Sequence, residues 1–286
     1  MVFGCGRRDL NPGRQRGRLM PPIDYRQVKS GLMCYLESRN FNRRYVKCML
    51  SYLDKYATVI SEPSDLLRMF AKLTVGQQHN LNRAIRNLFN FIQGQGYPEG
   101  YLNLLRKAIP KEHIGVDVKV PEECDIVKSI KMLSKVAPKY TALYNLLLDS
   151  GLRLIEASDI IGNFKGADKV NQFYRATVGM FRGSKQAYYA YFTEATYNQL
   201  VNLSPLTSIN PLAASHYYLK YGFIAPKYLR KFAFDKMVTL EIPESVADFI
   251  EGRVAKRIGA KHYMALRRQA DNWYGRYADY VSNLRR

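Results

Sequence analysis

The chain has 286 residues, 47% of them apolar, so it can bury sizeable cores and is long enough for two domains. Lysine and arginine outnumber aspartate and glutamate 44 to 24, and the net charge of +20 points to nucleic acid or another anionic partner. Four cysteines without a CxxC spacing and four scattered histidines exclude a zinc pattern, and no apolar run approaches membrane-spanning length, so a soluble cytoplasmic protein with reduced thiols is expected.

Residues 1–20 carry Arg7, Arg8, Arg14, Arg16 and Arg18 between glycines and prolines, which reads as a flexible basic arm. From Pro22 the pattern changes. Tyr25, Val28, Leu32 and Tyr35 recur at helical steps, and Val46, Met49 and Leu53 mark a second helix from Asn42 to Tyr56. Glu62-Pro63-Ser64-Asp65 opens a third, with Ser64 as its expected cap. A fourth spans His79 to Gln93 and a short fifth starts at Glu99. Residues 21–108 therefore form a helical domain. Residues 109–123, with two prolines, a glycine and no helical period, read as a linker.

The second domain, 124–286, is mixed. Helices are expected from Pro121 to Lys135 and from Pro138 to Ser150. Phe173 to Phe192 is rich in Tyr, Phe, Val and Thr and is interrupted at Arg182-Gly183-Ser184, as in a small hairpin. Helical texture resumes at Glu194. Near the end, Leu266, Ala270, Trp273, Tyr277, Val281 and Leu284 form an apolar stripe. It either docks on a second copy of the chain or packs on its own domain.

Four sites carry chemical possibilities. The first is Leu146-Leu147-Leu148-Asp149-Ser150-Gly151-Leu152-Arg153-Leu154-Ile155-Glu156, which on its own reads as a helix, a glycine cap and a surface Arg–Glu pair. The second is Lys185, in the hairpin turn, with Lys169 and Arg182 as neighbouring rivals; a turn lysine is usually solvated. The third is Pro226-Lys227-Tyr228-Leu229-Arg230, where two cations three residues apart on a helix can face one phosphate. The fourth is Gly252-Arg253 followed ten residues later by Tyr263, a segment crowded with cations. A tyrosine hydroxyl, with a reference pKa of about 10, becomes a useful nucleophile only where positive charge stabilises the phenolate. Tyr274, Tyr277 and Tyr280 are rivals, and a core aromatic is the plainer reading of each.

Taken in order, Arg153, Lys185, Lys227-x-x-Arg230, Gly252-Arg253 and Tyr263 resemble the tyrosine recombinase (phage integrase) family. The motifs cover about residues 121–270, and residues 22–108 are similar to the family only in layout. Lys227 and Arg253 stand where the common pattern has histidines, a departure that resembles the fusellovirus-type integrases of archaeal viruses and plasmids. The resemblance implies a mainly α fold with a small β-sheet, an N-terminal helical core-binding domain and a tyrosine-recombinase catalytic domain. It implies a site-specific recombinase in which Tyr263 cleaves DNA through a 3′-phosphotyrosyl bond. Arg153, Arg230, Arg253 and Lys227 would neutralise the transition state, Lys185 would act as general acid, and Glu156 would support the site. Double-stranded attachment-site DNA and a homotetramer are the implied partners, with no cofactor, metal or membrane. The active site would then consist almost wholly of permanent cations, with no evident base for the Tyr263 proton. In this branch the integrase gene often overlaps its attachment site, so the basic arm is either shaped by DNA sequence or a plain DNA contact. The rival functions are a type IB topoisomerase-like enzyme and a non-catalytic basic DNA-binding protein.

Overall fold

The computed structural model describes residues 21–111, 115, 117–182, 185–203, 207–253 and 265–286, with Arg182 described by its backbone alone. The basic arm, Gly183-Ser184, His262 and Tyr263 lie outside the described residues. The chain forms two compact units, one up to residue 116 and the other from Asp117 onward.

The first unit contains α1 (Tyr25–Ser38), α2 (Arg43–Tyr56), α3 (Pro63–Phe70), α4 (Val75–Gln93) and α5 (Glu99–Ala108). Leu32, Leu36, Leu53, Leu81, Ile85, Leu88 and Leu102 are fully buried in its core, each worth about 1.5–3 kcal/mol of burial. Two starts differ from the sequence reading. The cap of α3 is Glu62 rather than Ser64, because Pro63 fits the first helical position. Asp65 Oδ2 reaches back to the backbone N–H of Glu62 at 3.0 Å and of Ser61 at 2.8 Å. Helix α4 begins at Val75, four residues before His79. Thr74 and Gln77 form a capping box there, with the Thr74 N–H donating to Gln77 Oε1 at 2.9 Å.

The second unit runs α6 (Glu123–Met132), a 3₁₀ turn (Leu133–Lys135), α7 (Pro138–Ser150), α8 (Leu154–Asn163), β1 (Asp168–Val170), β2 (Phe173–Arg182) and β3 (Lys185–Thr193). It continues with α9 (Glu194–Val201), α10 (Pro211–Lys220), α11 (Pro226–Thr239), α12 (Glu244–Ile250) and α13 (Leu266–Leu284). The helix expected from Pro121 to Lys135 is thus shorter, and its last turn tightens to 3₁₀. The strands form an antiparallel sheet of order β1-β2-β3, with β1 an addition to the expected hairpin. Thr177 pairs with Tyr189 and Met180 with Ala187, so two residues oppose one. Gly179, at φ 63°, supplies the left-handed backbone that such a bulge requires.

Helix α7 is the axis of this unit: every residue from Ala142 to Ser150 is buried. That explains why its apolar residues, Ala142 to Tyr144 and Leu146 to Leu148, run round the helix rather than along one face. Helix α13 packs on the same unit through Ala270, Tyr274, Tyr277, Ala278 and Val281. Of the expected stripe, Trp273 is only partly buried and Tyr274 takes the core position beside it. Between the two readings of that stripe, packing on its own unit is the arrangement present.

A polar lock joins α13 to α7. Asp149, fully buried, accepts at Oδ2 from the Thr193 N–H (2.9 Å), the Thr193 hydroxyl (2.8 Å) and the Thr196 hydroxyl (2.7 Å). Its Oδ1 accepts from Arg285 Nη2 at 2.5 Å. The Tyr274 hydroxyl donates to the carbonyls of Asp149 and Tyr191, and the Tyr277 hydroxyl to that of Leu148. The bonds to Leu148 and Asp149 satisfy carbonyls that the end of α7 leaves open.

Candidate active site

The site is built on the turn between α7 and α8. Gly151 caps α7 in the left-handed conformation (φ 60°), its N–H donating to the Leu147 carbonyl at 3.0 Å. A side chain there would also collide: a Cβ would lie 2.7 Å from Glu251 Oε1. The turn delivers Arg153 to the N-cap of α8. Its backbone N–H donates to Glu156 Oε2 at 2.9 Å, and its Nη1 to Glu156 Oε1 at 3.1 Å and to the Gly252 carbonyl at 2.9 Å. Glu156 is fully buried, so this is no solvated surface pair.

Arg230 enters from the first turns of α11, a helix opened by Pro226. Its Nη1 donates to the carbonyls of Gly151 and Glu251, each at 2.8 Å. Its side chain is only 12% exposed. Burial lowers its pKa to about 10, Glu251 opposes that shift, and Arg153 and Arg253 add to it.

Arg253 follows α12. Gly252, at φ 71°, turns the chain, and a Cβ there would lie 2.8 Å from that of Ala187. This close approach lets β3 pair with the turn: Gln186 N–H donates to the Gly252 carbonyl at 3.1 Å, and Lys185 bridges Arg253. Arg253 places Nη2 2.8 Å from Glu251 Oε2 and Nη1 3.4 Å from Asp248 Oδ1, with its guanidinium 4.7 Å from the Phe234 ring. Arg153 and Arg230 therefore meet on the backbone of Gly151, Glu251 and Gly252, and Arg253 joins them through the Glu251 side chain, although 100 residues separate the first arginine from the last.

Glu251 was not singled out by the sequence, and its only signal is a carboxylate placed directly after the apolar pair Phe249-Ile250. It is fully buried, and burial pushes its pKa up to about 7, against the pull of Arg230, Arg253 and Arg153 and with a push from Asp248. Two guanidinium nitrogens lie within ion-pair distance of its Oε2, yet neither carboxylate oxygen completes a hydrogen bond of good angle. The ion-pair distances describe attraction, and the missing hydrogen bonds describe imperfect aim; both hold at once.

Lys185 is exposed at the first residue of β3, next to Arg253 through the backbone bridge. Its rival Lys169 is engaged elsewhere, 3.5 Å from Glu194 Oε1 and 5.6 Å from the centre of the Tyr174 ring. Lys227 sits apart from the arginines. Its ammonium is 3.4 Å from Asp117 Oδ2 and 4.4 Å from the centre of the Tyr228 ring, and the side chain is 65% exposed. The same carboxylate also holds Lys231 at 3.1 Å. Tyr274 and Tyr277 are fully buried with their hydroxyls committed to carbonyls, and burial drives their pKa values far upward. The Tyr280 hydroxyl donates to Glu123 Oε2 at 2.6 Å. None of these three tyrosines is poised as a nucleophile. Among the described residues, no group of three or more His, Cys, Asp or Glu could hold a metal ion, and no helix is long and apolar enough to cross a membrane.

The sequence profile of the archaeal phage integrase family matches residues 118–280, more than half of the chain. The chain belongs to this family. Among solved structures, the integrase-family fold seen here is similar to a lambda integrase (75-356) dimer bound to a COC′ core site. The TM-score is 0.62 at 9% identity, over 82% of this chain and 96% of that one. It is also similar to the XerH site-specific recombinase bound to a difH substrate, with a TM-score of 0.53 at 11% identity, over 91% of this chain and 84% of that one. No curated protein sequence matches it. The integrase is thus a tyrosine recombinase by family and fold, mainly helical with a small antiparallel sheet.

Proposed function

We propose that this integrase is a site-specific DNA recombinase that breaks and rejoins duplex DNA through a 3′-phosphotyrosyl intermediate, integrating or excising a mobile element. The observation that carries the reading is the convergence of Arg153 and Arg230 on the carbonyls of Gly151, Glu251 and Gly252 and of Arg253 on the Glu251 carboxylate, with the Lys185 strand bridged to Arg253. A phosphodiester under attack gains negative charge on its oxygens, and fixed guanidinium donors stabilise that charge without reorganising. Tyr263 releases its phenolic proton to solvent, and its oxygen attacks phosphorus and forms the new ester. The bond from phosphorus to the 5′ oxygen breaks, and Lys185 gives that oxygen its proton. A 5′ hydroxyl from another strand then attacks the phosphotyrosyl ester, restores a phosphodiester and releases Tyr263. One ester replaces another at each step, so no nucleotide cofactor is needed.

Glu156 holds Arg153 in place, and Lys227 exchanges Asp117 for a DNA phosphate. The helical domain of residues 21–108 and the catalytic domain of residues 124–286, joined by the 109–123 linker, close on the duplex, and four protomers act on paired sites. The likeness of fold to lambda integrase and XerH, each solved on DNA, supports the reading.

The test is a set of nicked duplexes tiled through the gene and its flanks, incubated with the full chain. The expected result is a protease-sensitive covalent adduct at one position, lost in Tyr263→Phe while DNA binding persists. Wild-type protein that binds every duplex and forms no adduct overturns the reading in favour of a DNA-binding protein. Relaxation of supercoils without strand exchange between two sites would indicate a topoisomerase instead.

A further inference from the structure

Glu251 has no place among the motifs that the sequence carries, yet it lies inside the arginine cluster. An ordinary buried ion pair saturates its carboxylate with hydrogen bonds, because leaving one unsatisfied is costly. Glu251 does not: its Oε2 is 2.8 Å from Arg253 Nη2 and 3.3 Å from Arg230 Nη2, and neither oxygen forms a well-angled hydrogen bond. Arg230 Nη2 is left without one as well. The charged groups around it come from several elements. Arg153, paired with Glu156, faces it from the start of α8, Arg230 from α11, Asp248 from α12 and Arg253 from the turn that follows. Among the described residues, Tyr277 of α13 is a further titratable neighbour, its hydroxyl committed to Leu148. With Glu251 ionised, these three cations face three carboxylates, and the cluster carries no net charge; with Glu251 protonated, it carries one positive charge.

We infer that Glu251 is a positioning residue, a resident counter-anion that holds Arg230 and Arg253 in the DNA-free protein and yields them to a bound phosphate. This rests on the reading under Proposed function, in which that phosphate is the one being cleaved. A phosphate that shares two guanidinium groups with a carboxylate repels it, and the repulsion favours the neutral carboxyl. Burial already pushes the Glu251 carboxyl up to about 7. Phosphate engagement therefore takes up a proton from solvent onto Glu251, and affinity for a tetrahedral anion rises as pH falls through that value.

Sulfate is a suitable probe because its charge does not change in this range. Its binding to the full chain is followed through the Nε–Hε resonances of Arg230 and Arg253 between pH 6 and 8.5. In the wild type, affinity is expected to rise roughly tenfold toward pH 6, as for a one-unit shift of the carboxyl on binding. In Glu251→Gln it is expected to be tight and flat with pH, and Glu251→Asp, which keeps the charge, should restore the slope. A wild-type affinity that does not change with pH, or an equal slope in Glu251→Gln, overturns the inference. Should Glu251→Gln not fold, calorimetry of sulfate binding to the wild type in two buffers of different ionisation enthalpy decides. Net proton uptake near pH 7 is then expected, and none refutes the role. Failure here with a Tyr263-dependent adduct intact removes only the role of Glu251. Loss of the adduct with the sulfate slope intact removes only the recombinase reading.

Discussion

Two polar networks leave the same end of α7, and they are satisfied in opposite ways. At Asp149 one buried carboxylate accepts from a backbone amide, two hydroxyls and Arg285, and both of its oxygens are used. Two residues later, beyond Gly151, three arginines gather round Glu251, whose oxygens complete no good hydrogen bond. The first network fixes α13 and the sheet to the central helix. The second keeps donors partly exposed, Arg153 at 23% and Arg253 at 38% of the side chain. A saturated network stabilises, whereas an incompletely satisfied one costs stability, and in the role inferred for Glu251 a bound phosphate would complete it.

The contrast breaks first at Asp149. Asp149→Ala leaves Arg285 buried without its counter-charge, and we expect a loss of about 3–5 kcal/mol in denaturant unfolding. Cleavage should fall only as far as the folded fraction does. Arg230→Lys inverts that outcome. The charge remains but the fork that meets two carbonyls at 2.8 Å is lost. Single-turnover cleavage should drop by about 10²–10³, with near-wild-type melting. A variant with lost stability and normal cleavage would place Arg230 in the lock instead. Gly252→Ala tests the boundary between the two networks: strained backbone at φ 71° and a collision with Ala187 should cost about 1–3 kcal/mol and also slow cleavage. The last effect is electrostatic. Glu251 binds its proton more tightly in the folded chain, about 7 against the usual 4.5. Stability from this group is therefore highest below pH 4.5 and declines as pH rises to about 7. Glu251→Gln should remove that part of the slope in a series of melting temperatures.

Much of this architecture was legible in the sequence where local chemistry decides it. Helix α7 and its glycine cap follow from a leucine-rich run ending in Ser150-Gly151, and α2 from one apolar face behind Asn42. The start of α4 was not, because its first turn, Val75-Gly76-Gln77-Gln78, has no apolar period and Val75 is 72% exposed. Strand β1 is three residues long and mostly exposed, too short for alternation to register. At the site, the motif order pointed to three arginines that the fold brings together. Periodicity could not show that Lys227 faces Asp117 while Arg230, one turn on, points inward. Nor could it reveal Glu251 or the saturation of Asp149, because their partners come from elements far along the chain and only the packing brings them near.

The carbonyl of Gly252 has a further consequence. A carbonyl oxygen offers two lone pairs, and this one serves Arg153 Nη1 on one side and the Gln186 amide of β3 on the other. The strand that begins with Lys185 and the arginine at the head of α8 are thus moored to a single atom. If the hairpin lifts, it drags that acceptor with it, and Arg153 loses alignment in the same motion. In the reaction proposed above, engagement of Lys185 with the leaving oxygen and of Arg153 with the phosphate would then be coupled through that one atom.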